Sequence, residues 1–364
     1  MFGMARFAHL VAPAAVIALL SCSGTPGGGT GPTDPDPNDN LVCNIPTDLF
    51  FSSLSRDAIP SLTNPDVGPA AASVMGVDDR VLGLVVGGEA RAYPIGVLWW
   101  HEVINDTLGG EPVLVSYCPL TGSGIAFDPR VDGGEARNFG VSGILLENNL
   151  VMFDRTTESL WNQMLLGSQC GPDRGKSLAR LPIVETNWGH WKRLHPSTSF
   201  VTTNTGFLQD YTRYPYDDYD DLNNPNRLFP GSRIDTRRPP KELVLGVHEG
   251  TLSVAFPFGA LTNLGLVVAL NDSIGATPLL VTFFADEQTA IAFDRRINGQ
   301  TLTFDVADPF AGTLTDRETG STWSAAGEAI GGSLTGARLT QHEDAFVAFW
   351  FAWSIYFPTT RLVE

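Results

Sequence analysis

The chain has 364 residues, of which 43% are hydrophobic and 17% are charged, so it has the composition of a folded protein. This length suits two ordinary domains, or one large domain built from two similar halves. The formal net charge of −17 repels nucleic acid and anionic lipid, and no cluster of Lys or Arg offsets it. We therefore expect no nucleic-acid partner, and any contact with a membrane must come from an anchor.

The N-terminus predicts a lipoprotein signal peptide over residues 1–22. An apolar stretch over residues 10–20 is too short to span a bilayer and leads to Leu19-Leu-Ser-Cys22, which is similar to a bacterial lipobox. In a lipobox the cysteine, here Cys22, is acylated and becomes the mature N-terminus. The alternative is an ordinary cleaved signal peptide. Residues 23–42 are rich in Gly, Thr, Pro and Asp and predict a flexible tether. We expect an exported protein, lipid-anchored to the bacterial cell envelope, without a transmembrane helix.

The remaining cysteines suggest one disulfide. Export places the chain in an oxidising compartment, where cysteines pair. With Cys22 acylated, Cys43, Cys118 and Cys170 remain, and an odd number leaves at least one unpaired. Cys43 follows the tether and Cys170 lies in a loop rich in Gly, Pro and Asp. A Cys43–Cys170 disulfide with Cys118 free is the simplest arrangement, although spacing alone does not prove it.

The rest of the sequence predicts an α+β fold of mainly antiparallel strands. Strands are predicted over residues 82–86, 90–93, 113–117, 125–127 and 150–153. Asp132-Gly133 and Asn298-Gly299 lie between such runs and predict tight hairpin turns.

Only a few short helices are predicted. One covers residues 95–104 and begins directly after Pro94, a residue suited to a helix start. Another covers residues 188–194, with Thr186 or Asn187 as its N-cap. Strands with short connections therefore dominate the expected fold.

An internal repeat organises the chain. Val113-Leu-Val-Ser-Tyr-Cys118 matches Leu279-Leu-Val-Thr-Phe-Phe284, and further matches follow in the same order along the chain. Matching tryptophans occur at positions 188 and 350, and at 191 and 353. The period is far longer than that of solenoid repeats, so we expect one β-rich unit duplicated in tandem.

The repeat sets the expected domain boundaries. Copy one spans residues 43–205 and includes an N-terminal extension over residues 43–79. A polar linker covers residues 206–242, and copy two spans residues 243–364.

Residues that bear chemistry in one copy alone are the better functional candidates. Copy one has His101, Cys118 and Met152. The matching positions of copy two are the apolar residues Val267, Phe284 and Leu314. Imidazole, thiolate and thioether together suit a soft metal, copper above all. Asp106 or Asp154 would hold the free imidazole nitrogen. Three core residues without a metal are the alternative, because Cys and Met are often buried.

Other functions stay open at this point. Cys118 with His101 or His190 would form the nucleophile and base of a thiol-dependent enzyme. A structural protein of the envelope with no metal is a further alternative. An acidic run in the linker would either bind Ca²⁺ or form a solvated loop, and the latter fits its composition better. Its aspartates are Asp217, Asp218, Asp220 and Asp221.

Several motifs of the body resemble one known family. They are Asp57-Ala-Ile-Pro60, Arg91-Ala-Tyr-Pro94, Trp100-His-Glu-Val-Ile-Asn-Asp106, Tyr117-Cys-Pro-Leu120, Phe139-Gly-Val-Ser-Gly143, Asp154-Arg-Thr-Thr-Glu-Ser-Leu-Trp161, Pro240-Lys-Glu242 and Phe349-Trp-Phe-Ala-Trp353. In these, the chain resembles the uncharacterised bacterial domain of unknown function numbered three-one-seven-nine. The resemblance implies that residues like His101, Cys118 and Met152 are kept, but it brings no activity with it. Relatives often have a second cysteine where this chain has Thr121, so a dithiol site is not expected.

Overall fold

The computed structural model describes residues 42–52 and 54–364. The predicted signal peptide with Cys22, and the tether up to residue 41, lie outside the described residues. Within the described part, no helix is long and apolar enough to cross a bilayer. Below, residues 42–205 are called the first half, residues 206–242 the connecting segment, and residues 243–364 the second half.

Strands and two helices make up the first half. The strands are β1 (Phe50–Ser52), β2 (Leu62–Thr63), β3 (Val67–Pro69), β4 (Arg80–Val86), β5 (Glu89–Pro94), β6 (Val103–Leu108), β7 (Glu111–Cys118), β8 (Ser123–Phe127), β9 (Phe139–Leu146), β10 (Asn149–Asp154), β11 (Leu160–Asn162), β12 (Gly167–Cys170), β13 (Arg180–Leu181), β14 (Ile183–Asn187) and β15 (Ser199–Val201). The helices are α1 (Ile95–His101) and α2 (Trp188–Leu194). All five predicted strands and the second predicted helix are confirmed.

The second half contains a similar series of elements. Its strands are β16 (Leu243–Glu249), β17 (Leu252–Pro257), β18 (Val267–Ile274), β19 (Thr277–Phe284), β20 (Thr289–Asp294), β21 (Arg296–Ile297), β22 (Gln300–Thr301), β23 (Phe304–Asp308), β24 (Thr313–Asp316), β25 (Thr322–Trp323), β26 (Ala329–Gly331), β27 (Thr340–Gln341), β28 (Ala345–Phe349) and β29 (Arg361–Leu362). Its helices are α3 (Phe258–Leu264) and α4 (Trp350–Tyr356).

The strands form several small sheets. In the first half their orders are β14-β4-β5-β15-β3, β13-β8-β7-β6-β2 and β1-β9-β10-β11-β12. In the second half they are β28-β16-β17-β29, β18-β19-β20-β27, β23-β24-β25-β26 and the hairpin β21-β22. Most neighbours are antiparallel, and β2–β6, β5–β15 and β17–β29 are parallel. This confirms a β-rich fold with antiparallel sheets and few short helices.

Local sequence explains where the elements turn and end. Asn298 and Gly299 have φ of 50° and 80° between β21 and β22, as a tight hairpin requires. Asp132-Gly133 instead lies in a short 3-10 turn, so that hairpin prediction was wrong. The predicted helix over residues 95–104 was too long, because Glu102 takes φ 55° and Val103 begins β6. Asn187 caps α2 by accepting a 2.8 Å hydrogen bond from the His190 amide, as predicted.

Several contacts recur in the two halves with nearly the same geometry. The indole of Trp161 donates to Asp154 at 2.9 Å, and that of Trp323 donates to Asp316 at 2.9 Å. A second tryptophan in each half, on α2 and on α4, donates to a threonine hydroxyl at 2.9 and 3.0 Å respectively. The same tryptophans pack flat against a glycine of the neighbouring sheet, where a Cβ would not fit.

The hydrophobic core crosses from one half to the other. One cluster joins Trp191 and Val81 of the first half to Trp323 and Phe304 of the β23–β26 sheet. Another joins Trp353, with β16 and β28 around it, to the β9–β12 sheet. The helix α2 of the first half is therefore buried under a sheet of the second half, and α4 of the second half is buried under a sheet of the first. Neither half has a complete core by itself.

The connecting segment is packed rather than free. It forms no helix or strand over residues 206–242, which agrees with the irregular linker predicted there. Its tyrosines nevertheless lie over the turn after β7. The hydroxyl of Tyr219 donates to the Leu120 carbonyl at 3.0 Å, and that of Tyr214 donates to the Pro119 carbonyl at 3.3 Å. The segment thus covers the turn that begins at Cys118.

Candidate functional site

His101 ends α1 and has protein partners at both ring nitrogens. Nδ1 lies 2.7 Å from the Pro60 carbonyl oxygen, and Nε2 lies 2.8 Å from the Tyr211 hydroxyl. Burial lowers the pKa of the imidazole. These contacts match a satisfied core histidine that ties two loops together, which was the alternative to a metal ligand.

Cys118 ends β7, and α1, the helix that carries His101, does not cover its face of the strand. Its cluster contains Leu114 from the same face, as strand alternation indicated. α1 instead packs Val97 and Leu98 in the cluster of Val113, on the opposite face. A metal site shared by His101 and Cys118 would need α1 on the Cys118 face, but the β9–β12 sheet packs there instead.

The Cys118 thiol shares its buried cluster with Met152 and Met164. Its sulfur lies 3.6 Å from the Asn148 carbonyl oxygen, and burial raises the pKa of the thiol to about 11. A thiolate, which a soft metal or a nucleophilic reaction needs, is disfavoured in this environment. Among the described residues, no group of three His, Cys, Asp or Glu side chains could hold a metal ion. Copper binding by His101, Cys118 and Met152 stays a prediction.

The two aspartates proposed to support the imidazole have other partners. Asp106 accepts a hydrogen bond from the Tyr93 hydroxyl at 2.9 Å and pairs with Arg91. Asp154 accepts from the Trp161 indole, and its counterpart Asp316 does the same for Trp323. Their contacts stabilise the two sheets and do not reach the ring of His101.

The remaining predicted residues are placed as follows. Cys43 and Cys170 form a disulfide that joins the start of the described chain to β12. His190 packs its ring against Phe284 of the second half, and burial lowers the pKa of this imidazole to about 4. The hydrogen bonds and ring contacts of His101 and His190 in the described part of the chain therefore do not include Cys118. The four aspartates of the connecting segment are exposed, as a solvated loop would be.

A cleft of about 460 Å³ opens between the halves, and the sequence did not predict it. Its walls come from matching elements: α1 and β7 on one side, α3 and β19 on the other. The first half contributes Arg80, Ile95, Trp99, Tyr117 and Glu185. The second half contributes Leu243, Phe258, Thr262 and Phe283. The connecting segment closes the rim with Tyr214, Asp220 and Lys241.

The first half lines this cleft with polar groups. Arg80 donates to Oε1 of Glu185 at 3.1 Å and to two backbone carbonyls of the second half. The other carboxylate oxygen of Glu185, Oε2, is buried and has no hydrogen-bond partner among the described residues. Burial raises the pKa of Glu185, and Arg80 opposes that rise. Burial also raises the pKa of the Tyr117 phenol, and the nearby Glu185 charge adds to it.

The second half has apolar residues at the positions that correspond to these three polar groups, and two of them, Leu243 and Phe283, line the cleft. Glu185 pairs with Leu82 in its sheet, and Val347 pairs with Leu245 in the same place. Tyr117 is likewise replaced by Phe283 at the equivalent position of β19. Leu243 begins β16 as Arg80 begins β4. Comparing all polar residues between the two predicted copies, and not only His, Cys and Met, would have found these positions.

The connecting segment contributes the buried amine of Lys241 to the cleft. The Nζ of Lys241 donates to the Tyr219 carbonyl at 2.6 Å and lies 2.9 Å from the centre of the Tyr219 ring. The residue is only 2% exposed although it lines the cleft. Burial lowers the pKa of this amine to about 7, against the opposing charge of Asp220.

Comparison with known proteins gives one match. The family described as "Protein of unknown function (DUF3179)" matches residues 56–360. No curated protein and no solved structure matches the chain significantly. The matched residues include most of both halves, the whole connecting segment and every residue of the cleft. The motifs of the body and this match together show that the chain belongs to this uncharacterised family.

Proposed function

We propose that this is an exported, lipid-anchored binding protein whose cleft takes a small organic molecule, polar at one end and apolar at the other. One observation carries the proposal: a buried carboxylate oxygen of Glu185, which lines a cleft that holds both polar and aromatic groups, has no hydrogen-bond partner in the described part of the chain. Buried polar atoms in folded proteins are nearly always hydrogen-bonded, so an unpaired one facing a cleft indicates a ligand donor.

The size and lining of the cleft support this function. Its volume of about 460 Å³ falls within the range of small-molecule pockets. Trp99 and Tyr214 form an edge-to-face aromatic pair on one wall, with ring centres 5.1 Å apart. Leu243, Phe258 and Phe283 form the apolar wall opposite Arg80 and Glu185. A ligand with a hydroxyl or amine at one end and a ring at the other matches both walls.

The tandem duplication is part of the same proposal. It is supported by the matching order of elements, by the paired tryptophan hydrogen bonds and by equivalent positions on both walls of the cleft. On this proposal His101, the last residue of α1, corresponds to Leu264, the last residue of α3, and not to Val267. The small insertion between the copies then follows the helix.

Lipid anchoring also belongs to the proposal. The sequence Leu19-Leu-Ser-Cys22 and the following tether support it, together with the disulfide at Cys43. A disulfide directly after the tether fastens the start of the body to β12. Force along the tether would then reach the first half through a covalent bond.

Fluorescence titration with 2-naphthol tests ligand binding, since this probe combines an aromatic ring with a hydroxyl donor. We expect saturable binding that Glu185→Gln weakens about ten-fold, which corresponds to the loss of one hydrogen bond to a charged group. In this variant the amide oxygen faces Arg80 and the amide NH₂ faces the probe, so donor meets donor. Binding of 2-methoxynaphthalene, which has no donor, should be weaker and equal in both proteins.

Glu249→Gln is the matched control. Glu249 also has a buried carboxylate oxygen without a hydrogen-bond partner among the residues that the structure describes, but it lies outside the cleft. This variant should bind 2-naphthol as the parent protein does. Absence of saturable binding, or equal loss in both variants, would contradict the proposed function.

Copper at Cys118 is the second candidate. It is supported by Met152 and Met164, whose thioethers share a buried cluster with the thiol. Titration with Cu(I) should then give about one equivalent bound, lost in Cys118→Ala. Binding that survives this substitution would exclude the site.

A further inference from the structure

The chain has three lysines, and one of them differs sharply from the others. Lys176 pairs with Asp132 and Asp173, and its side chain is 40% exposed. Lys192 lies on α2 with its amine 5.1 Å from the centre of the Trp188 ring. Lys241 is buried at the rim of the cleft. A buried amine beside a ligand cleft is the feature that the proposed function leaves unused.

We infer that Lys241 reacts with a carbonyl group of the molecule held in the cleft and forms an imine with it. The inference rests on the proposed function and names the chemical class of its ligand: an aldehyde or ketone with an apolar or aromatic part. It also changes what the cleft does, because a reversible covalent bond adds to the hydrogen bonds from the polar wall.

The surroundings of the amine favour this chemistry. Three aromatic rings enclose Nζ, with centres 2.9 Å away for Tyr219, 5.4 Å for Phe349 and 5.6 Å for Phe351. Within the described residues no carboxylate forms an ion pair with Lys241, in contrast to Lys176. Its single hydrogen bond goes to a backbone carbonyl, which leaves the nitrogen lone pair available once the proton is lost.

Charge around the amine works in both directions. Asp220 favours the protonated form and Arg227 disfavours it, while burial has the largest effect and lowers the pKa to about 7. At neutral pH a large share of this amine is therefore unprotonated, whereas an ordinary lysine is almost fully protonated. Desolvation in an apolar pocket is a known way to activate a lysine toward carbonyl compounds.

The reaction needs no redox partner. The nitrogen of Lys241 attacks the carbonyl carbon, a C–N bond forms and the proton moves from nitrogen to oxygen. The C–O bond then breaks, the hydroxyl leaves as water with the second proton of the nitrogen, and the C=N bond of the imine forms. Addition of water reverses each step, so the ligand is released unchanged.

Reductive trapping tests the inference on the folded, full-length protein. The protein is incubated near neutral pH with benzaldehyde and sodium cyanoborohydride, which supplies hydride to any imine, and the benzylated lysines are located by peptide mass spectrometry. We expect Lys241 to be labelled at least about ten-fold faster than Lys176 and Lys192, because more of its amine is unprotonated. In denaturant the three lysines should be labelled at similar rates.

Two variants and one competitor complete the experiment. Lys241→Arg should remove the fast labelling, and Lys192→Arg should leave it unchanged. Saturating 2-naphthol should protect Lys241 and not Lys176. Slow labelling of Lys241 in a protein that still binds 2-naphthol would overturn this inference and leave the proposed function intact. Fast labelling without 2-naphthol binding would instead contradict the Glu185 part of the proposed function.

Discussion

Glu102 is one residue that makes the free energy of unfolding depend on pH. It follows α1 in a left-handed conformation, and complete burial raises the pKa of its carboxyl from 4.5 to about 8. In the folded protein this group therefore keeps a proton that the unfolded chain has already released above its ordinary pKa. Stability contributed by Glu102 is present at low pH and is lost as pH rises toward about 8.

Replacing Glu102 by Gln should remove this dependence. The free energy of unfolding, measured by urea denaturation near pH 5 and near pH 8, should fall less with rising pH in Glu102→Gln than in the parent protein, because an amide does not ionise. Glu135→Gln, at an exposed position, is the control and should leave the pH dependence unchanged. An identical pH dependence in Glu102→Gln and the parent would show that this carboxyl ionises freely in the folded state.

Residue-scale predictions from the sequence succeeded where the cause was local. The strand over residues 113–117 was located from its own residues, and of the two predicted N-caps, Thr186 and Asn187, Asn187 caps α2. The direction of His101 could not be read in this way, because its partners Pro60 and Tyr211 are distant in sequence. Glu185 and Arg80 were missed because their significance comes from a cleft between distant segments.

At the scale of single elements, close approach of a tryptophan ring to a strand fixes two glycines. A Cβ added at Gly246 would lie 2.1 Å from the Trp353 ring, and one added at Gly83 would lie 2.3 Å from the Trp191 ring. Neither distance can be relieved by a small side-chain movement, since the rings are fully buried. The helices α2 and α4 therefore depend on these glycines for close packing against the sheets.

We expect Gly246→Ala to lower the free energy of unfolding by about 1–3 kcal/mol, which is typical of overpacking in a core. Gly83→Ala should have a similar effect. Urea denaturation measures both. Gly76→Ala is the control, since its added Cβ would meet only an ordinary contact at 3.6 Å. If Gly246→Ala unfolds at the same urea concentration as Gly76→Ala, α4 does not pack its tryptophan against Gly246 as described.

Element boundaries were predictable where turn and strand signals agreed. The strands on either side of Gly87-Gly88 were located correctly because two consecutive glycines indicate a tight turn. In the structure both glycines have positive φ, as such a turn requires. The end of α1 was misplaced because apolar residues continue through Val103 and Ile104, which belong to β6. A helical pattern and a strand pattern follow each other there without a break.

At the scale of the whole molecule, the proposed lipid anchor would decide where the cleft works. If Cys22 is acylated, Cys22→Ala should move the protein from the membrane fraction to the soluble fraction of the cells that express it. Cell fractionation with immunoblotting measures this. Cys118→Ser is a suitable control, because it alters a cysteine of the folded body and should leave the fractionation unchanged. Membrane association that persists in Cys22→Ala would show that another feature holds the protein there.

If the two halves arose by duplication, as proposed above, the crossed core has a consequence for the origin of such a chain. A polypeptide with a single copy would leave the tryptophan helix of that copy uncovered, so it would be stable only as an intertwined homodimer. The cleft of that homodimer would lie on its two-fold axis, and every substitution would appear on both walls at once. Joining two copies in one gene removes this constraint. On the proposed duplication, one wall could then acquire Arg80, Tyr117 and Glu185 while the other acquired Leu243 and Phe283, and a symmetric opening would become an asymmetric one, able to distinguish the two ends of a ligand.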